Sequence, residues 1–224
     1  VSNASAQLWD LERLIFPKFY PILDASWLPA EADERREALS RAVRSLAQAG
    51  VRMLQFRYKQ ASEDRLLADA AVMRAAAPPE LRLILNDWPA LAVKAGFDGV
   101  HVGQTDASPS QARAIVGPQN MVGISTHNAA QLSQADAAPV DYIAIGPVFA
   151  TSTKQNPDPV VGIAGVALAR TLTHRPLVAI GGITPANAAK VLAAGADAVA
   201  VVSAIFSPGS DPVKSAGDFL RVCR

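Results

Sequence analysis

Eight short apolar runs punctuate the chain, separated by longer, alanine-rich segments of helical character. The runs are Phe19–Asp24, Val51–Arg57, Leu81–Asn86, Gly99–Val102, Met121–Ser125, Tyr142–Ile145, Leu177–Ile180 and Ala198–Val202. Several are continuous in Val, Ile and Leu rather than alternating, which is the pattern of a strand covered on both faces. The stretches between them, Glu31–Gln48, Ser62–Ala77, Pro89–Lys94, Pro109–Ile115, Ala129–Ala135, Ala164–Leu172, Pro185–Ala193 and Asp211–Val222, read as helices. Their ends carry start and stop chemistry. Gly50, Gly96 and Gly195 stand where a helix must turn back toward a strand, and a left-handed residue is wanted there. Ser108-Pro109 and Thr184-Pro185 place an N-cap before a proline at the first helical position.

Strict alternation of strand and helix dictates parallel pairing. An open, doubly wound sheet shares the local pattern, but three features favour closure. The units are short and even, no Gly-x-Gly-x-x-Gly follows the first run, and polar residues recur past many strand ends instead of one switch point. The expectation is an α/β fold, a single (β/α)₈ TIM barrel over residues 19–224, preceded by an N-terminal extension over 1–18. Ser2-Asn3-Ala4 in that extension reads as the remnant of an expression tag. A length of 224 residues suits one such domain.

Charge and cysteine usage narrow the functional classes. The 21 Lys and Arg nearly balance 20 Asp and Glu, and no basic stripe with interleaved aromatics occurs, which argues against a nucleic-acid partner. No run approaches the roughly 18 apolar residues of a membrane span. The single cysteine, Cys223, rules out an intrachain disulfide framework and fits a reducing compartment, so a cytoplasmic location is expected. Small-molecule substrates are the expected partners, and homo-oligomerisation is left open.

In such a barrel the polar residues past the strand ends converge on one mouth. After the second run comes Gln55-Phe56-Arg57-Tyr58-Lys59, where alternation turns Gln55, Arg57 and Lys59 inward and Tyr58 outward. Cations turned inward call for an anionic partner; a solvated strand end is the bland alternative. The third run ends in Asn86-Asp87, and Asp106 follows the fourth. Two carboxylates on adjacent strands suit a hard cation such as Mg²⁺, although Asp87 could instead cap a helix and Asp106 could form a turn. Past the sixth run, Thr151, Thr153 and Lys154 make a cradle for phosphate oxygens. Gly181-Gly182 and Val202-Ser203 follow the seventh and eighth runs, the recurrent phosphate position of these barrels; a plain tight turn is the alternative reading of the glycines.

The sequence thus offers two unlike anion sites at one mouth. One is cationic and beside the aspartates, suiting a diphosphate with Mg²⁺, and the other is neutral and glycine-lined, suiting a monophosphate. Among the three histidines, His101 and His174 suit structural roles, while His127 lies close enough to the fifth strand end to touch the site. No Ser/His/Asp set, Cys/His pair or multi-His cluster is present. Catalysis should therefore rest on positioning and charge stabilisation.

These strings resemble thiamine phosphate synthase. The likeness runs from about Tyr20 to Pro212 and rests on Gln55-x-Arg57-x-Lys59, Leu85-Asn86-Asp87, Asp98 through Asp106, Gly123-Ile124-Ser125, Asp141-Tyr142, Gly146 through Phe149, Thr151-x-Thr153-Lys154, Ala179 through Thr184 and Val202-Ser203. The resemblance implies a transferase joining 4-amino-2-methyl-5-(diphosphooxymethyl)pyrimidine to a thiazole phosphate or its carboxylated form. It implies that Gln55, Arg57, Lys59, Asn86, Ser125 and Lys154 hold the pyrimidine diphosphate, with Arg57, Lys59, Ser125 and Lys154 acting in catalysis. It further implies Asp87 and Asp106 for Mg²⁺, and Thr151, Thr153, Gly182, Val202 and Ser203 for the thiazole phosphate. The family's dissociative chemistry, a pyrimidine methyl cation captured by the thiazole nitrogen, needs no general base. Two departures are Tyr58, where the family often has Glu, and Ala150, where a proline is common. A thiazole tautomerase relative would need no diphosphate residues, an isomerase barrel would need an acid/base pair, and a non-catalytic precursor-binding protein is the remaining alternative. The proline-bearing segment from Gln155 to Val161 is expected to cover bound substrate.

Overall fold

The structure, a computed structural model, describes residues 16–60, 62–151, 158–207 and 209–223. Eight parallel strands close into a barrel in sequence order, each pairing with its neighbours and the eighth with the first. They are β1 (Phe19–Asp24), β2 (Met53–Arg57), β3 (Arg82–Asn86), β4 (Gly99–Val102), β5 (Met121–Thr126), β6 (Tyr142–Ile145), β7 (Leu177–Ile180) and β8 (Ala198–Val201). The helices outside are α1 (Ala32–Ala49), α2 (Glu63–Ala76), α3 (Pro89–Lys94), α4 (Pro109–Val116), α5 (Ala129–Asp136), α6 (Gly162–Leu172), α7 (Pro185–Ala193) and α8 (Pro212–Val222). The expected barrel is found, with element bounds moved by one or two residues. β2 starts at Met53, not Val51, because the Val51 N–H is bonded back to the Leu46 carbonyl at 3.0 Å, closing α1 around left-handed Gly50.

Alternation along each strand separates two apolar clusters. Outward residues such as Phe19, Leu54, Leu83, Val100 and Ile143 pack under the helices in one large core. Inward residues Tyr20, Ile22, Met53, Ile84, Tyr142, Ala144, Val178, Ala198 and Ala200 fill the barrel itself. Two tyrosines supply much of that filling, and small residues opposite make room for them. A Cβ on Gly123 would lie 2.0 Å from the Tyr142 ring, so no other residue fits there without displacing it. Phe16 packs on Tyr20 and Tyr142, with centroids 6.4 and 5.1 Å away, and so closes the N-terminal end. The interior is a packed plug, and any ligand must bind at the opposite, C-terminal end.

Three repeated clamps hold the N-terminal end. Asp98, Asp141 and Asp197 each precede an even-numbered strand and accept the backbone N–H of the strand before it: Leu83 at 2.8 Å, Val122 at 2.7 Å and Leu177 at 2.7 Å. Each carboxylate also pairs with an arginine of the helix that precedes the earlier strand of the two, Arg74 of α2, Arg113 of α4 or Arg170 of α6. One side chain thereby ties a helix and two strands together. This supports precise placement of what lies at the other end.

Candidate active site

The C-terminal ends of β2 to β8 surround a cleft of about 380 Å³. Its walls differ from one side to the other. From β1 to β4 they are charged. Asp24, at the end of β1 and 6% exposed, accepts from the Ser26 amide at 3.0 Å and hydroxyl at 2.7 Å, and its other oxygen pairs with Arg57. Lys59 lies beyond the end of β2 and pairs with Asp87 at 2.9 Å. Strand alternation therefore carries only Gln55 and Arg57 inward, and Lys59 reaches the site from the loop. The anionic partner that these cations call for comes from the protein itself: each already holds a carboxylate.

Asp87 is the single non-glycine residue with positive φ among the described residues, at 71°. A left-handed aspartate costs of order 1 kcal/mol or more and persists only where surroundings hold it. Here the Asp87 N–H donates to the His101 carbonyl at 2.8 Å. The helix after it is capped by Trp88 with no side-chain bond, so the carboxylate is not spent on a cap. Instead it lies within hydrogen-bonding reach of Asp106. Burial first, and then Asp106, push the Asp87 carboxyl up to about 6, against the opposing pull of Lys59. Asp106 also accepts from the Gly103 N–H at 2.7 Å, so it serves the turn as well as facing Asp87. Asn86 lines the same wall, and its buried amide nitrogen has no hydrogen-bond partner in the structure.

From β5 to β8 the wall carries mostly small, uncharged residues, Ser125, Gly146, Thr151, Gly181, Gly182, Val202 and Ser203, with Asp158 beside His127 as its carboxylate. The chain past β6 runs alongside the end of β7, with the Val148 and Phe149 amides donating to Ile180 and Gly181 carbonyls at 2.9 and 3.0 Å. That approach requires glycine. Gly182 has φ +62°, and a Cβ there would lie 2.6 Å from the Ala150 carbonyl oxygen. His127 does reach the cleft: its Nδ1 donates to the Gly146 carbonyl at 2.7 Å, while Nε2 faces Asp158 at 3.4 Å. Thr153, Lys154 and Gln155 to Pro157 lie outside the described residues, and with them part of the expected covering segment.

Gln55 stands one layer deeper than the lining residues. It is 2% exposed and donates from Nε2 to the Tyr20 hydroxyl at 2.9 Å. Tyr20 and Tyr142 hydroxyls are 2.9 Å apart, Tyr142 meets His101 Nδ1 at 3.0 Å, and His101 Nε2 meets Ser125 Oγ at 2.8 Å. Burial pushes both phenols upward and holds His101 down to about 4, so the imidazole is neutral. Sequence reasoning gave His101 a structural role, and that role turns out to lie directly beneath Ser125. Asp24, Tyr20 and Tyr142 were not singled out for the site; the signal available was their inward register on β1 and β6. Tyr58 does point outward, under the Arg35 guanidinium 4.9 Å from its ring centre.

A family model described as thiamine monophosphate synthase matches residues 24–205. The chain belongs to that family. Among relatives of the synthase family, it is 48% identical to the thiamine-phosphate synthase of Koribacter versatilis (strain Ellin345), over 93% of this chain and 97% of that one. It is 43% identical to the thiamine-phosphate synthase of Xanthobacter autotrophicus, over 78% of this chain and 82% of that one. Among solved structures, thiamine phosphate pyrophosphorylase from Pyrococcus furiosus superposes with a TM-score of 0.80 at 25% identity, covering 95% of this chain and 97% of its own. Tryptophan synthase subunit alpha from Legionella pneumophila, at 14% identity and a TM-score of 0.67, shares the barrel alone.

Proposed function

We propose that this chain is a thiamine phosphate synthase, joining the pyrimidine diphosphate to a thiazole phosphate with release of diphosphate. The observation that carries the reading is the division of one cleft into a wall bearing Arg57, Lys59 and two aspartates and a glycine-lined wall with no Lys or Arg among the described residues. Two phosphorylated halves of unequal charge need such a division; an isomerase acting on one phosphate does not. On this reading Arg57, Lys59, Asn86 and Ser125 face the pyrimidine diphosphate. Thr151, Gly182, Val202 and Ser203 face the thiazole phosphate. Thr153 and Lys154 are assigned by sequence likeness to the thiazole phosphate and the diphosphate.

The donor set fits Mg²⁺. Asp87 and Asp106 present hard carboxylate oxygens side by side, and the Asp87 carboxyl, pushed up first by burial and then by Asp106, is one whose charged form a divalent cation would favour. Among the described residues no third His, Cys, Asp or Glu joins them, which suits an ion that completes its shell with phosphate oxygens and water. When bound there, Mg²⁺ supplies positive charge to the leaving diphosphate. Arg57 and Lys59 neutralise the same oxygens as the C–O bond to the pyrimidine methylene breaks. The electron pair leaves with the diphosphate, and the resulting cation is captured by the thiazole ring nitrogen, whose lone pair forms the new C–N bond. No proton need be removed, in keeping with a cleft whose buried imidazole is already committed to two hydrogen bonds. The packed plug of Tyr20 and Tyr142 shuts water out from below. Small phosphorylated substrates are the partners on this reading, and no helix among the described residues is long and apolar enough to cross a membrane.

Incubation with both precursors and Mg²⁺, with diphosphate release as the readout, tests the proposal. Release that needs both precursors is the expected result. Turnover of the thiazole phosphate alone without diphosphate release would instead make the chain a tautomerase.

A further inference from the structure

Five side chains beneath the cleft form a single file, Gln55, Tyr20, Tyr142, His101 and Ser125, drawn from β2, β1, β6, β4 and β5. Each phenol has one proton and two partners in this file, and each imidazole nitrogen has one. The direction of any one link therefore fixes all the others. Gln55 presents Nε2, which only donates, so Tyr20 accepts and must give its proton to Tyr142. Tyr142 then donates to His101 Nδ1. The neutral imidazole carries its proton on Nε2 and donates to Ser125 Oγ.

We propose that this file sets Ser125 as a hydrogen-bond donor into the cleft, which makes Tyr142 and His101 positioning residues for binding of the pyrimidine diphosphate. With one lone pair of Ser125 engaged by His101, its own proton is free for an acceptor. Turning the Gln55 amide over would reverse every link and consume the Ser125 proton on His101 Nε2. The serine could then offer only lone pairs, which repel phosphate oxygens and pyrimidine ring nitrogens alike. A ligand rich in acceptors thus selects the direction in which Gln55 donates. The file also accounts for two fully buried tyrosines in a layer where aliphatic residues would fill the same space. Both hydroxyls are satisfied, and links in series strengthen one another in a low-dielectric interior.

The proposal rests on the synthase reading for its ligand but not for its wiring, so two measurements separate them. Nitrogen-15 NMR of His101 in the wild-type protein should show a neutral ring with protonated Nε2 and bare Nδ1. A proton on Nδ1 would overturn the proposal whatever the protein catalyses. Second, Tyr142→Phe removes the donor to Nδ1 at nearly constant volume. It should weaken calorimetric binding of the pyrimidine diphosphate about as much as Ser125→Ala does, roughly five- to tenfold. The double variant should bind no worse than either single variant, because both remove one contact. Independent, multiplying losses would sink the idea. Should Tyr142→Phe fail to fold, the wild-type tautomer still decides. Wild-type protein that binds no pyrimidine diphosphate, yet shows the Nε2 tautomer, would remove the synthase reading and leave the file intact.

Discussion

The two walls of the cleft handle charge in opposite ways. On the β1–β4 side every described charged group is already engaged: Arg57 with Asp24, Lys59 with Asp87, and Asp87 with Asp106. On the β5–β8 side the lining is mostly serine, threonine, valine and glycine, with His127 tied to the Gly146 carbonyl and facing Asp158, the one carboxylate of this side among the described residues. Binding at the first wall is an exchange, in which a ligand must offset ion pairs that it breaks or shares. Only a highly charged anion, or its complex with a divalent cation, does that. At the glycine-lined part of the second wall no Lys or Arg ion pair stands among the described residues, and close backbone approach is what glycine there provides. The same cleft is thus selective for charge on one side and for shape on the other.

His101 is the seam between the walls, on β4 but bonded to Tyr142 and Ser125. Charging it would place a cation in the buried layer beneath the neutral wall, and this gives the largest expected effect. An unfolded imidazole takes up its proton near 6.5, whereas the folded one resists until about 4. Between those values the unfolded chain binds more protons. Stability should be full above about pH 6.5 and should fall as pH drops toward 4, by on the order of 3 kcal/mol. Unfolding curves from pH 7 to 4, with His101→Gln as reference, check it; parallel profiles would mean the ring is not buried and neutral. Next in size is Asp87→Ala, expected to lower turnover about a hundredfold while leaving thiazole phosphate affinity unchanged. Steady-state diphosphate release and calorimetry measure the two quantities. Equal losses in both would abolish the distinction between the walls.

Much of this contrast was legible in the sequence, for reasons that also explain what was not. Continuous apolar runs in strict alternation with helical stretches, and glycine and proline at element ends, specify the barrel, because strands covered on both faces must pair in parallel with helices outside. Asp87, Asp106 and Gly181-Gly182 were readable as site residues because strand ends converge in this architecture. The partners were not readable. Asp24 lies 33 residues from Arg57, and nothing local reveals that one neutralises the other. Tyr20 and Tyr142 are 122 residues apart and look like ordinary apolar strand residues until closure brings their hydroxyls together. Lys59 was placed by alternation that ends two residues before it. Pairing across the barrel is a property of closure, and no window of sequence contains it.

The neutral wall is tested by its glycines. Gly182→Ala forces a Cβ to within 2.6 Å of the Ala150 carbonyl oxygen at a φ of +62°. The loop carrying Thr151 must shift, so the KM for thiazole phosphate should rise roughly tenfold and stability should fall by about 1–3 kcal/mol. Affinity for the pyrimidine diphosphate should hold. Steady-state kinetics with each substrate varied in turn, beside a thermal melt, gives all three numbers. A loss confined to the pyrimidine diphosphate would place the glycines at the wrong wall.

Ionic strength produces the smallest effect and still separates the walls. Raising salt from about 0.05 to 0.5 M shortens the Debye length from roughly 14 to 4 Å. A diphosphate drawn to Arg57 and Lys59 feels that change directly, since the Lys59 side chain is 50% exposed and screened by solvent ions. A phosphate held by hydroxyls and close backbone makes shorter-range contacts that salt barely reaches. The KM for the pyrimidine diphosphate should therefore rise about three- to fivefold across this range at saturating Mg²⁺, and that for the thiazole phosphate by less than about twofold. Chloride must be exchanged for acetate in a control, so that specific anion binding is not read as screening. Equal salt dependence for both substrates would mean that the cations serve the whole mouth rather than one side of it. The geometry argues otherwise, because both described cations of the lining stem from β2 and the loop after it, pinned by carboxylates of β1 and of the residue just past β3.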